Sequence, residues 1–253
     1  QIFKTMTYLS RTFAFLMLFR PICSFSGISV WNSRAAYKNG GEISILFRRI
    51  GSPRCRVSSQ SGDTLAEVDP GSVEGTELRI LKYPHPALRA DNADITPEEL
   101  EDGSIVKIAK EMLLVMYAAK GVGLAAPQVG INKRLMVYND SGDPKRWLEE
   151  TVLVNPKIVE YSPTTDIELE GCLSFPNMNG EVERSKWVKV EALSTKGKKI
   201  KKKLSGWTAR VFQHEYDHLD GKVYIDRLNE ESKANVQPTL TELIQQFGPG
   251  GAL

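Results

Sequence analysis

Gln213-His214-Glu215-Tyr216-Asp217-His218 decides how this chain is read. On a helix, residues four apart lie on one face, a turn from each other. His214 and His218 can then each aim a ring nitrogen at one ion, and Glu215 can reach water held there. This is the H-E-x-x-H arrangement of catalytic metal sites. Average composition would produce it in on the order of one chain of this length in a hundred or fewer. The competing reading is a solvated helix face with two ordinary histidines. The helix itself is expected from about Ser205 to Leu219, stopping at Gly221. Asp217 points off the ligand face; it reads either as an acid that orients a neighbouring group or, the preferred reading, as a solvated one.

A catalytic ion needs a third protein ligand and an open position for water. One pattern puts a third histidine behind a glycine further along the chain. Gly221 is in place, but the ligand position holds Tyr224. The one remaining histidine, His85, sits in a turn between Pro84 and Pro86 and reads as an exposed loop residue. The third ligand is therefore sought among Cys, Asp and Glu. Cys172, in Glu170-Gly171-Cys172-Leu173-Ser174, is the best candidate. Its bland reading is a small buried apolar residue, common for free cysteine. Glu230 and Glu231 are the rival ligands, and Glu170 is expected to pair with a basic residue, Arg184.

Outward from that centre, residues 97–120 read as a long helix. Thr96 and Glu99 form a capping box around Pro97. Ile105, Ile108, Ala109, Met112, Met116 and Ala119 recur at helical spacing, and Gly103 weakens the first turns. Strands are expected over Leu78–Tyr83, Arg134–Tyr138, Val152–Asn155, Ile158–Tyr161, Val182–Leu193 and Lys222–Asp226, with a terminal helix over Thr239–Phe247. Strands run together and do not alternate with helices, which predicts an α+β fold: mixed, mostly antiparallel sheets around a central helix carrying the H-E-x-x-H motif.

The 253 residues suffice for one sizeable domain plus extensions. The three cysteines, Cys23, Cys55 and Cys172, are too few and too scattered for a disulfide framework, which points to a reducing compartment. Residues 1–61 hold nine Lys/Arg against one acid, Glu42, whereas residues 62–253 hold 24 Lys/Arg against 30 Asp/Glu. The first segment has the basic, Ser-rich composition of an organelle targeting leader, expected to be disordered. Its apolar run Phe13–Phe19 is too short to span a membrane. Residues 62–76 read as a linker and residues 77–253 as the catalytic domain. The mildly acidic body gives no global case for nucleic-acid binding, DNA included.

Three stretches resemble peptide deformylase: Gly121-Val122-Gly123-Leu124-Ala125-Ala126-Pro127-Gln128, then Glu170-Gly171-Cys172-Leu173-Ser174, then Gln213-His214-Glu215-Tyr216-Asp217-His218-Leu219. They stand in the family's order, and the likeness extends over about residues 78–230. Gly171-Cys172-Leu173-Ser174-Phe175-Pro176 is similar to the plastid-type branch. The resemblance implies a metal-dependent hydrolase that removes the N-formyl group from the N-terminal methionine of new proteins. It makes Cys172 the third ligand beside His214 and His218, and iron(II) the native metal. A thiolate with two imidazoles also suits zinc, cobalt or nickel. An ion of this kind generates hydroxide from bound water near neutral pH.

By the same likeness Glu215 is the general acid–base, while the Gln128 amide and the Leu173 backbone N–H stabilise the oxyanion. Gly123 and Gly171 offer backbone hydrogen bonds to a peptide bound like an added strand. Val122 and Val211 line a pocket for methionine, although periodicity alone equally supports plain helix packing for Val211. The implied partners are N-formyl-Met nascent chains, with transient ribosome contact, and the implied location is an organelle, plastid ahead of mitochondrion.

Two rivals remain at the level of sequence. One is an H-E-x-x-H zinc peptidase cutting internal peptide bonds. The other is an RNA- or ribosome-associated module built on Lys196-Gly197-Lys198-Lys199-Ile200-Lys201-Lys202-Lys203, which reads more simply as an exposed hairpin turn at Gly197.

Overall fold

Thr96 starts the first helix as its sequence predicts. In the computed structural model, which describes residues 70–253, its hydroxyl accepts from Glu99 N–H, and the Glu99 carboxylate accepts from Thr96 N–H at 2.9 Å. Helix α1 (Pro97–Glu101) is short because Gly103 takes a left-handed conformation, φ +78°. Helix α2 (Ser104–Ala118) then begins anew, so the single helix expected over 97–120 is two. Thr96→Ala should cost about 1 kcal/mol; an unchanged urea midpoint would show that the cap contributes nothing.

The strands, in chain order, are β1 (Gly123–Ala125), β2 (Leu135–Tyr138), β3 (Thr151–Tyr161), β4 (Thr165–Cys172), β5 (Phe175–Ser185), β6 (Trp187–Leu193) and β7 (Lys199–Ser205). One sheet has the order β1-β2-β3-β6-β7 and is antiparallel throughout; β4 and β5 form a separate antiparallel pair. All four residues of β2 are buried because both faces of the sheet are covered. Leu135 and Val137 pack with Ile105, Met112 and Met116 of α2. Met136 and Tyr138 pack with Ala209, Val211 and Phe212 of helix α3 (Gly206–Leu219). A third cluster, including Phe175, Met178 and Val182, joins β5 to helix α4 (Glu230–Phe247).

The α+β class and the central position of the motif-bearing helix stand as expected. Several elements differ. Leu78–Tyr83 joins no sheet; it is tied singly, Leu81 N–H to Gln128 O and Tyr83 N–H to Ser174 O. Val152–Asn155 and Ile158–Tyr161 are one strand, β3, interrupted where Asn155 takes φ +48° and the register shifts. Val182–Leu193 spans two strands of different sheets, β5 and β6. Lys222–Asp226 is not a strand: residues 224–227 make one turn of 3-10 helix, with the Asp226 carboxylate accepting from Val223 N–H. The last helix starts at Glu230, capped by Asn229, and runs through Pro238. The expected turn at Gly197 joins β6 to β7, with φ +71°. Among the described residues no helix is long and apolar enough to cross a membrane. The leader, residues 1–61, and linker residues 62–69 lie outside the described residues.

Candidate metal centre

Helix α3 sets His214 and His218 one turn apart, ring centroids 5.3 Å from each other. Strand β4 ends at Cys172, where a register shift after Gly171 lets the chain turn back to Phe175. This brings Cys172 Sγ to 3.3 Å from His218 Nε2, and one donor atom from each of Cys172, His214 and His218 lies within 4.8 Å of the others. Two imidazoles and a thiol converging in this way fit a metal with a position left open. Glu230 and Glu231, the rival ligands, lie exposed at the start of α4 and take no part.

The electrostatics of the site favour a cation. His214 Nδ1 pairs with Glu170 Oε2 at 3.0 Å, which leaves its other ring nitrogen for the cluster. Burial disfavours charge on His214, yet the Cys172 and Glu170 groups beside it raise its pKa well above the ordinary histidine value. Burial lowers His218 to about 3, and the charge of His214 adds to this. The two buried imidazoles therefore share at most one proton.

Glu215 lies beside the ligands, 4% exposed, with one carboxylate oxygen lacking a hydrogen-bond partner in the structure. Burial pushes its pKa up to about 7. A Cβ at position 123 would fall on the Glu215 carboxylate, so only glycine leaves room for it. Gln128 is 1% exposed. Its Oε1 accepts from Ala125 N–H at 2.8 Å, which turns Nε2 toward Cys172 Sγ, 3.6 Å away, and Ser174 Oγ, 3.4 Å away. Ser174 is fully buried, and nothing in its local sequence singles it out for this contact.

Gly123, Gln128, Cys172, His214 and Glu215 line a cleft of about 330 Å³ together with Val122, Gly171, Leu173 and Val211. All the site residues expected from the sequence are therefore brought together: His218 lies behind the cleft as part of the donor cluster, and the others line it. Val211 also belongs to the core under the sheet, so its packing reading holds beside its lining one. Sequence reasoning missed Leu169, Trp207 and Arg210, which also line the cleft.

Behind the cleft lies a buried ionic cluster. Arg184 holds Glu170 with two parallel contacts of 3.0 Å, as expected, and also binds Asp217. Arg210 binds Glu170 at 2.7 Å and Asp166 at 2.6 Å. Asp217 is not solvated: it is 5% exposed and paired to both Arg184 and Arg227. It does point away from the ligand face, but strands from elsewhere in the chain cover that side. Burial alone would raise the Glu170 pKa, but His214 and Arg184 hold it well below the usual carboxylate range. Burial opposes Asp217 likewise, and Arg227 and Arg184 hold its pKa down.

A family model described as polypeptide deformylase matches residues 77–234. The chain is 42% identical over 172 residues to peptide deformylase 1B, chloroplastic/mitochondrial, of Arabidopsis thaliana, covering 68% of this chain and 62% of that protein. It is 39% identical over 165 residues to the peptide deformylase of Thermotoga maritima, covering 65% of this chain and 95% of that protein. Among solved structures, the peptide deformylase of Plasmodium falciparum superposes with a TM-score of 0.64 at 40% identity, covering 67% of this chain and 96% of that one. A plant peptide deformylase, PDF1B, gives 0.62 at 42% identity, covering 68% and 91%.

Proposed function

This chain belongs to the polypeptide deformylase family, and from that membership we propose that it removes the formyl group from the N-terminal methionine of newly made proteins. Water supplies an oxygen to the formyl carbon, the amide C–N bond breaks, and formate and a free amine result. One observation carries the reading: a cysteine sulfur and two ring nitrogens within 4.8 Å of one another, beside a buried Glu215 with one oxygen unpartnered, at a cleft. The relatives and solved structures described above are peptide deformylases, which does not favour the peptidase alternative.

The family is metal-dependent, and Cys172, His214 and His218 would hold the ion. The family likeness favours iron(II); zinc, cobalt and nickel suit the same donors. When bound, such an ion acidifies water and polarises a carbonyl oxygen. Glu215 takes a proton from water and returns it to the departing amine. The Gln128 amide and the Leu173 backbone N–H donate to the oxygen that gains charge at the formyl carbon. β1 and β4 are both edge strands and both border the cleft. A peptide can therefore add between them as a strand, with Gly123 and Gly171 supplying backbone contacts. Val122 and Val211 offer apolar surface to the methionine side chain.

The test is formate release from formyl-Met-Ala-Ser set against cleavage of unblocked peptides; internal cleavage without formate would hand the site to the peptidase reading. Cys172→Asp in a cobalt-substituted protein should abolish thiolate-to-metal absorption, and unchanged spectra would remove Cys172 from the ligand set. In this reading the partners are nascent formylated chains, met in transient contact with the ribosome. The basic composition of residues 1–61 and the chloroplastic naming of plant relatives support an organelle destination, with the plastid the one we favour. Import of a fluorescent fusion into isolated organelles tests it.

A further inference from the structure

The β6–β7 hairpin carries a charge that the deformylase reading leaves unused. Residues 186–205 contain eight lysines and one acid, Glu191, and all eight lysines are exposed. The rest of residues 70–253 holds 16 Lys/Arg against 26 Asp/Glu. Positive charge is thus gathered on one hairpin of an otherwise acidic body.

Register gives Lys189, Lys199, Lys201 and Lys203 a common face, whereas Lys202 stands opposite Val190 in the other row. Lys189 stands opposite Lys203, Glu191 opposite Lys201 and Leu193 opposite Lys199. Val188, Val190 and Leu204 fill the opposite, core-facing side. Lys196 and Lys198 extend the basic surface at the turn. Trp187 lies in the same row, with Lys203 Nζ 4.1 Å and Lys189 Nζ 5.8 Å from its ring, so one indole holds two cations on the sheet surface. Glu160 pairs with Lys189 and Glu191 with Lys201. Among the described residues the other six lysines of the hairpin have no acid within 4.0 Å.

Edge protection accounts for part of this pattern. β7 is the outer strand of its sheet, and lysines there discourage strand addition. Charge of either sign would serve that purpose, yet acids are nearly absent. The turn and the β6 side carry lysines as well.

We propose that this face docks RNA through its sugar–phosphate backbone. The choice of RNA rests on the proposed substrate, because formylated N-termini belong to chains fresh from the RNA-built machinery that makes them. Charge complementarity supplies the attraction, and its strength is set by the counterions the RNA releases. A membrane suits the face poorly: the tip, Ser194-Thr195-Lys196-Gly197-Lys198, has no apolar side chain to insert. β7 runs directly into α3, so RNA held there keeps the cleft mouth at Trp207 close to the source of new chains.

The experiment compares the full chain with its K199Q/K201Q/K203Q variant by fluorescence anisotropy on a short RNA hairpin, at about 50 to 200 mM salt. Glutamine keeps the stems that cover Trp187. The variant should bind about tenfold more weakly, with a salt slope shallower by about three. The basic leader is the same in both proteins and cancels. Acetylation mapped by mass spectrometry should find Lys196–Lys203 shielded by RNA. Equal affinity and slope, equal acetylation with and without RNA, or shielding by phosphatidylglycerol vesicles and not by RNA would each overturn the proposal. Formate release from formyl-Met-Ala-Ser should match in the two proteins. If neither releases formate while the RNA difference persists, the deformylase reading fails and the docking surface stands.

Discussion

Glu215→Gln is expected to keep its metal and lose turnover by about 100-fold or more. The substitution preserves shape, so the side chain still fits the space left by Gly123. The donors Cys172, His214 and His218 are untouched. What disappears is the capacity to accept a proton and hand it on. An amide in that position donates and accepts hydrogen bonds but moves no proton at neutral pH. The measurement is kcat/KM for formate release beside elemental analysis of the same preparation. Full metal content with near-normal turnover would end the acid–base role; loss of metal would make Glu215 part of the binding site.

Arg184→Met should destabilise the fold by roughly 3–5 kcal/mol, because it strips two buried carboxylates of their shared partner. Arg184 is 5% exposed and touches Glu170 and Asp217, themselves 6% and 5% exposed. Arg210 still reaches Glu170 and Arg227 still reaches Asp217, which limits the loss. Both carboxylates have depressed pKa values in the fold. Their stabilisation is therefore complete above the unfolded carboxylate range, about 4, and fades as pH falls through the depressed native values. The gap between wild type and variant should accordingly narrow below about pH 4. Urea unfolding over a pH series reads both effects. A loss under about 1 kcal/mol, comparable to an exposed pair, would show that the cluster contributes little.

The parts of the molecule that were legible in sequence are those whose signal is local. Two histidines four apart, Thr96 with Glu99, and Gly197 among lysines each carry their instruction within a few residues. Cys172 was a candidate on chemistry alone and became specific only through the family resemblance, since nothing local says that β4 ends against α3. Asp217 was misread because helical spacing reports where a side chain points but not what meets it there; Arg184 arrives from β5. Strand β4 escaped notice because its alternation is inverted. Ile167 and Leu169 are 60% and 65% exposed, while Glu170 is buried against two arginines. Strand β7, Lys199–Ser205, has few apolar residues to announce it, since one of its edges is open.

That inverted strand governs how the site can come together. Side chains alternate along a strand, so Glu170 and Cys172 project to the same side. A slip of one position between β4 and β5 would carry Leu169 into a nest of guanidinium groups and strand Glu170 in water. Oily side chains would have tolerated several offsets, but the charges admit one. Seating Glu170 therefore aims the sulfur two residues later, and the chain cannot close its ribbon out of step and still leave a thiol within reach of the imidazoles.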